Sequence, residues 1–166
     1  MLERSEIVNM SLVKICSGAQ TGADQGGLAA GIQLGLQIGG WMPLGRRTDE
    51  GPLSVELFKL WNLREHPLFT YPPRTEQNVR DSDGTVVFGN PYSPGCSLTV
   101  KLCKRHKKPY LIMETVSYDP VGLLKFVLNN GIKTLNVAGN RERSTPGIYA
   151  LTLDTIVRAF RSLRPD

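Results

Sequence analysis

Four glycine-punctuated segments, and one polar helix between them, hold most of the residues able to bind or transform a ligand. The first segment, SGAQTGADQGG at 17–27, has four glycines in eleven positions. Gly18 and Gly22 let the backbone turn sharply and approach a ligand. The amides that open the next helix point outward, and Ser17, Gln20 and Thr21 add neutral donors, so the loop suits an anion and above all a phosphate. Its G-x-x-x-G spacing is neither the G-x-G-x-x-G dinucleotide fingerprint nor a Walker loop with its lysine. The same residues also suit a tight strand-to-helix turn in which Gly26 and Gly27 permit close helix packing. Asp24 has two readings, a helix cap or the partner of a sugar hydroxyl or a base.

The second segment, GGWMPLGRRTDEGP at 39–52, supplies charge and a ring. Gly45 precedes Arg46 and Arg47, whose guanidinium forks match phosphate or carboxylate oxygens in two-point geometry, and Trp41 offers a flat face for stacking. In the third, GNPYSPGCSLT at 89–99, Gly95 and Cys96 precede Ser97 and Thr99, hydroxyls at the positive end of a helix. No histidine stands near Cys96 to activate it as a nucleophile. The fourth, GNRERSTPGIY at 139–149, brings Gly139, Asn140, Arg141 and Glu142; Arg141 can reach an anion or pair with Glu142. Between the second and third segments, RTEQNVRDSDG at 74–84 places Arg74, Asn78 and Asp81 on one helix face, followed by Ser82. Asp24, Asp81 and Glu142 are the candidate acids or bases if the protein is a catalyst.

Short runs of branched apolar residues alternate with segments of helical period, the pattern of a mostly parallel sheet with helices on both faces. The predicted strands are 12–16, 36–39, 84–89, 109–113 and 133–138, with a sixth left open near 63–70. Predicted helices cover 23–34, 74–82, 97–107, 119–130 and 146–163. The expected architecture is a single Rossmann-like three-layer α/β domain over 12–166, preceded by a loosely ordered lead-in at 1–11. In such a sheet, ligands bind beyond the carboxyl ends of the strands, where the four segments gather. The long connection 41–83, with five prolines, breaks the βα rhythm in the manner of functional loops.

Composition narrows the function. The chain has 166 residues, 40% hydrophobic and 21% charged, enough for one core without disulfides or metal clips. Three cysteines and two histidines share no ligand spacing, so no metal is expected. No apolar run approaches a membrane span, and the location is expected to be cytoplasmic. The net charge of +5 equals the five cations between Lys101 and Lys108. On a helix over 97–107 these favour the negative end of the helix dipole, and without interleaved aromatics nucleic-acid binding ranks third among the readings.

In this order, SGAQTGAD, GGWMPLGRRTDEGP, RTEQNVRDSDGT and LNVAGNRERSTPGIY resemble the small bacterial proteins called putative molybdenum carriers. The group is also described as the circularly permuted YpsA-like branch of the SLOG superfamily. The match runs from about Lys14 to Phe160. It implies a Rossmann-like sheet whose strand ends bind a nucleotide or another phosphate-bearing molecule. The carrier name comes from similarity to a protein that binds molybdenum cofactor, a pterin with a phosphate group. The family's S-G-G-Q-T-G-x-D falls on Ser17, Gly18, Gln20, Thr21, Gly22 and Asp24, with Ala19 for one glycine. Its G-R-R falls on Gly45, Arg46 and Arg47, its N-V-R-D-S-D-G on Asn78 through Gly84, and its G-G-T on Gly95, Cys96 and Ser97. A related branch, the LOG-type phosphoribohydrolases, uses a glutamate where this chain has Leu102, which cannot transfer protons.

The expected function is therefore a carrier or sensor that binds a nucleotide or a molybdenum-cofactor-like pterin through its phosphate. The alternative is a nucleotide or N-glycoside hydrolase. A homo-oligomer stays open. Gly22→Val is expected to weaken ligand binding far more than stability.

Overall fold

The computed structural model describes residues 12–114 and 119–161. The lead-in at 1–11 and the last residues of the final predicted helix lie outside them. Six strands form the main sheet: β1 (Lys14–Cys16), β2 (Gln37–Met42), β5 (Leu63–Glu65), β6 (Gly84–Phe88), β7 (Tyr110–Met113) and β8 (Thr134–Gly139). Two short strands, β3 (Arg47–Thr48) and β4 (Gly51–Pro52), make a separate antiparallel hairpin inside the long connection. All pairings in the main sheet are parallel, and the order is β5-β2-β1-β8-β6-β7. Every residue of β6 is buried, as expected for a central parallel strand covered on both faces.

The helices are α1 (Ala23–Gln33), α2 (Val55–Leu60), α3 (Tyr71–Arg80), α4 (Pro94–Arg105), α5 (Pro120–Asn129) and α6 (Ile148–Phe160). Two start three residues earlier than the periodicity predicts. In α3 and α4, prolines occupy the first turn, where the missing N–H has no intrahelical acceptor and the fixed φ suits the helix. The unpredicted α2 is a short helix capped by Ser54, whose hydroxyl accepts from the Leu57 amide at 3.2 Å.

Helices α1, α5 and α6 bury one sheet face around Ile15, Phe88, Leu135, Leu123, Ile156 and Phe160. Helices α3 and α4 cover the other with Val79, Leu102 and Cys103. The position where a phosphoribohydrolase keeps its glutamate is thus a core position here. Gly26 and Gly27 bring α1 against α6 and β8, since a side chain at either would run into Tyr149 and Thr152 or into Val137.

The basic cluster closes α4 at the opposite edge of the sheet from the glycine loops. Lys104 and Arg105 lie in its last turn, and Lys108 Nζ donates to the Ser82 and Arg80 carbonyls at 2.7 and 3.3 Å, satisfying the end of α3. Glu76 holds His106 at 2.8 Å and Arg105 at 3.8 Å. No helix of the described residues is long and apolar enough to cross a membrane.

Candidate functional site

The strand order has one reversal. Outward from β8, the chain adds β1, β2 and β5 on one side and β6 and β7 on the other. The carboxyl ends of β8 and its neighbours are therefore the switch point at which open α/β sheets bind ligands. A cavity of about 100 Å³ lies there on the α3–α4 face, walled by the loop after β1, the first turn of α3, the start of α4 and the end of β8. An adjoining cleft of about 340 Å³ runs between the starts of α4 and the β8–α6 loop, and Gly95, Gly139 and Arg141 line both.

The loop after β1 is tied mainly to itself. Gln20 Oε1 accepts from the amides of Thr21 and Asp49, both at 3.0 Å, and the Thr21 hydroxyl donates to Asp49 at 2.8 Å. Ser17 donates to the Asp24 carbonyl and accepts from the Ala19 amide. Asp24, one residue into α1, turns its carboxylate back into the loop, where Oδ2 accepts from the Gln20 amide at 3.2 Å. Asp24 thus ties the loop and lines the cavity but does not cap α1: the N-cap Gly22 has no side-chain hydrogen bond, and Gln20 lies two residues ahead of it. Gly22 has φ +87°, and a side chain on it would collide with the backbone of 140–142. The expectation that Gly22→Val would mainly affect binding is revised: the position is required for the fold.

The positive charge comes from α3. Arg74 is 8% exposed and reaches Asp24 Oδ2 at 3.4 Å, its guanidinium lying where a side chain on Gly18 would stand. Gly18 thus makes room for an arginine. Burial pushes the Asp24 carboxyl above its ordinary range, opposed by the Arg74 charge and the Gln20 amide. Two further arginines converge on the same ring: Arg47 lies 4.7 Å, Arg141 5.2 Å and Arg74 5.4 Å from the centre of Tyr71. Arg47 also stacks on Phe69 at 4.6 Å. An aromatic face attracts each guanidinium without cancelling its charge, so three cations stand close together around Tyr71 with Asp24 the one carboxylate lining the cavity. Arg74 Nε and Gln20 Nε2, on two residues that line the cavity, are enclosed by protein atoms and have no acceptor among the described residues. Buried polar groups are rarely left so, and each unsatisfied one costs about 1–3 kcal/mol.

Residues 15–160 match the circularly permutated YpsA SLOG family. The chain belongs to this family. Its sheet order fits the description: read from β8, the strands follow a doubly wound order that the actual chain enters at β1. The chain is also similar to a solved structure, the putative molybdenum carrier protein from Syntrophus aciditrophicus SB. The two share 34% identity and a TM-score of 0.81, covering 89% of this chain and 94% of that one. No curated protein matches.

Within this SLOG chain, the other residues singled out from sequence divide between the cavity and the scaffold. Gly18, Gln20, Asp24, Asn78, Gly95, Thr99, Gly139 and Arg141 line the cavity. Ser17, Thr21 and Gly22 hold the loop beside it, and Arg47 stands at Tyr71. Arg46, at φ +54°, donates from Nε to the Leu53 carbonyl at 2.9 Å and braces the β3–β4 hairpin. Gly45 donates its amide to Glu65 at 2.8 Å. Asn78 clamps β2 through both ends of its amide, accepting from the Trp41 N–H and donating to the Trp41 carbonyl. Trp41 lines a separate crevice with Lys14, Cys16 and Arg64, and its Nε1 donates to Asp81 at 2.9 Å. The other Asp81 oxygen accepts from Gln77. Glu142 spends both oxygens on the Gly147 and Tyr149 amides at the start of α6. Ser82 donates to the Val79 carbonyl, and the Ser97 amide bonds to Ser93 in the first turn of α4.

The sequence reading does not single out Tyr71 and names Asn140 only as part of its loop. Tyr71 stands directly before Pro72 and Pro73, three residues from Arg74, a spacing that puts both at one end of a helix. Asn140 joins the switch-point loops: Oδ1 accepts from Ser93 and Cys96, Nδ2 donates to Thr145 at 2.8 Å, and its carbonyl accepts from Ala23. Burial raises the Cys96 thiol, which leaves it a poor nucleophile. The buried Cys16 thiol is pushed up to about 12. No group of three metal-ligating side chains lies together among the described residues.

Proposed function

We propose that this protein binds a phosphate-bearing small molecule, a nucleotide or a pterin of molybdenum-cofactor type, and acts as its carrier or sensor. The observation that carries this reading is the set of three arginines around Tyr71, two of which, Arg74 and Arg141, line the cavity. Phosphate oxygens would accept from the cavity-lining guanidiniums of Arg74 and Arg141 and neutralise their charge, and the adjoining 340 Å³ cleft offers space for the organic part of the ligand. The name of the Syntrophus aciditrophicus relative supports carriage over turnover. A thermal-shift series with nucleotides, pterin phosphates and molybdate tests it: melting temperature should climb with the concentration of at least one phosphate compound. No shift with any of them overturns the reading.

Asp24 favours a second reading, hydrolysis of an N-glycoside, because it is a buried carboxyl at the cavity with a raised pKa. Glycoside cleavage commonly uses two carboxyl groups, and Asp81 and Glu142 are engaged elsewhere, which ranks this reading second. Release of free base from nucleoside monophosphates would reverse the ranking.

A further inference from the structure

The cavity pairs its donors with one acceptor that is itself negative. Asp24 is 5% exposed; its Oδ2 accepts from Gln20 and Arg74, while Oδ1 makes no hydrogen bond among the described residues. The groups that face it are Arg74 and Tyr71 from α3, Arg141 from the β8–α6 loop, Cys96 from α4 and Gln20 from its own loop. The guanidiniums of Arg74 and Arg141 and the Gln20 side chain line the cavity and ask for oxygen lone pairs. The carboxylate asks for the opposite. A bare anionic oxygen beside Oδ1 would face a like charge with no hydrogen between them, whereas an oxygen bearing hydrogen would donate to it.

We propose that the cavity selects an oxyanion that still carries a proton, hydrogen phosphate or the hydrogen form of a phosphate monoester, over bare oxyanions such as sulfate and molybdate, and that Asp24 is the discriminating residue. The proposal rests on the anion-binding reading above and narrows it. The site needs no proton transfer to do this: the ligand keeps its hydrogen and shares it with Asp24, while its other oxygens accept from Arg74, Gln20 and Arg141. About 100 Å³ is room for several waters and hence for one tetrahedral anion. Molybdenum would then travel on a phosphate-bearing ligand rather than as free molybdate.

Calorimetric titration of the full chain with inorganic phosphate, sulfate and molybdate at neutral pH is the test. Phosphate should bind about tenfold or more tightly than either bare anion. In Asp24→Asn, whose carboxamide can donate as well as accept, the gap should shrink to about twofold, mainly by a gain for sulfate. The wild-type chain provides a second readout that does not depend on the variant folding. Sulfate keeps its two charges well into acid, so its affinity should rise as pH falls through the raised value of Asp24. Equal affinities in the wild type, an unchanged ratio in Asp24→Asn, or pH-independent sulfate binding would each overturn the proposal and leave the anion site standing. No affinity for these anions or for ribose 5-phosphate would overturn both. Ribose 5-phosphate, titrated near pH 6 where about half of the ester keeps its hydrogen, separates the two sources of the chemistry: binding tighter than inorganic phosphate at the same pH assigns the site to an ester.

Discussion

The loop after β1 and the first turn of α3 meet at one cavity and contribute to it in opposite ways. The loop is rich in glycine and neutral donors, yet most of its polar atoms bond to one another or to Asp49, and its closest charge is negative. Helix α3 opens with two prolines and few polar groups, yet it delivers Tyr71 and the buried Arg74. The loop is shaped to admit the helix: Gly18 has no side chain where the guanidinium lies. The candidate site is therefore divided so that one segment supplies room and the other supplies charge.

That division can be broken from either side. Gly22→Val should have the largest effect, a loss of about 3 kcal/mol or more in denaturant unfolding, because it combines a left-handed backbone with a collision against residues 140–142. Arg74→Ala should abolish measurable anion binding and cost about 3 kcal/mol at neutral pH, by leaving Asp24 buried without its cation. Its pH dependence has a definite sign. Burial already raises Asp24 above its unfolded value, so the stability it contributes is full at low pH and lost as pH rises through the folded value. Removing Arg74 raises it further, and the variant's deficit should narrow toward about pH 5, a trend that thermal melts across pH would reveal. Gly18→Ala should displace the guanidinium and weaken phosphate binding about tenfold with a smaller loss of stability; if affinity is unchanged, the loop does not make room for the charge. Trp41→Phe should be mildest, removing one exposed hydrogen bond worth about 1 kcal/mol and leaving anion affinity within about twofold. A large loss of affinity there would return Trp41 to the site.

Much of the fold is legible in the sequence because βα alternation and apolar runs are local signals. The five predicted strands all occur, with ends shifted by a few residues. The short α2 and the β3–β4 hairpin are not legible, since six and two residues are too few to show a period. In the candidate site, glycine spacing points to the strand ends where the cavity lies but not to the donors. Which polar atoms are spent depends on pairs far apart in the chain, such as Thr21 with Asp49 and Trp41 with Asp81. Arg74 is readable as one side of a polar helix face. Its burial against Gly18, 56 positions earlier, is a tertiary fact. Tyr71 carries no charge and fits no binding motif, so only the convergence of three arginines reveals it.

The central place of β8 also governs how the protein is made. It fills the gap between β1 and β6, but a ribosome delivers it after every other strand of the sheet. Until residues 134–139 emerge, the edges of β1 and β6 that β8 will cover have no partner, a state in which nascent chains pair wrongly or meet chaperones. The same strand and the loop after it bring Gly139 and Arg141 to the cavity, so the cavity is completed together with the sheet. Under the binding role proposed above, ligand capture would report that β8 has joined its neighbours.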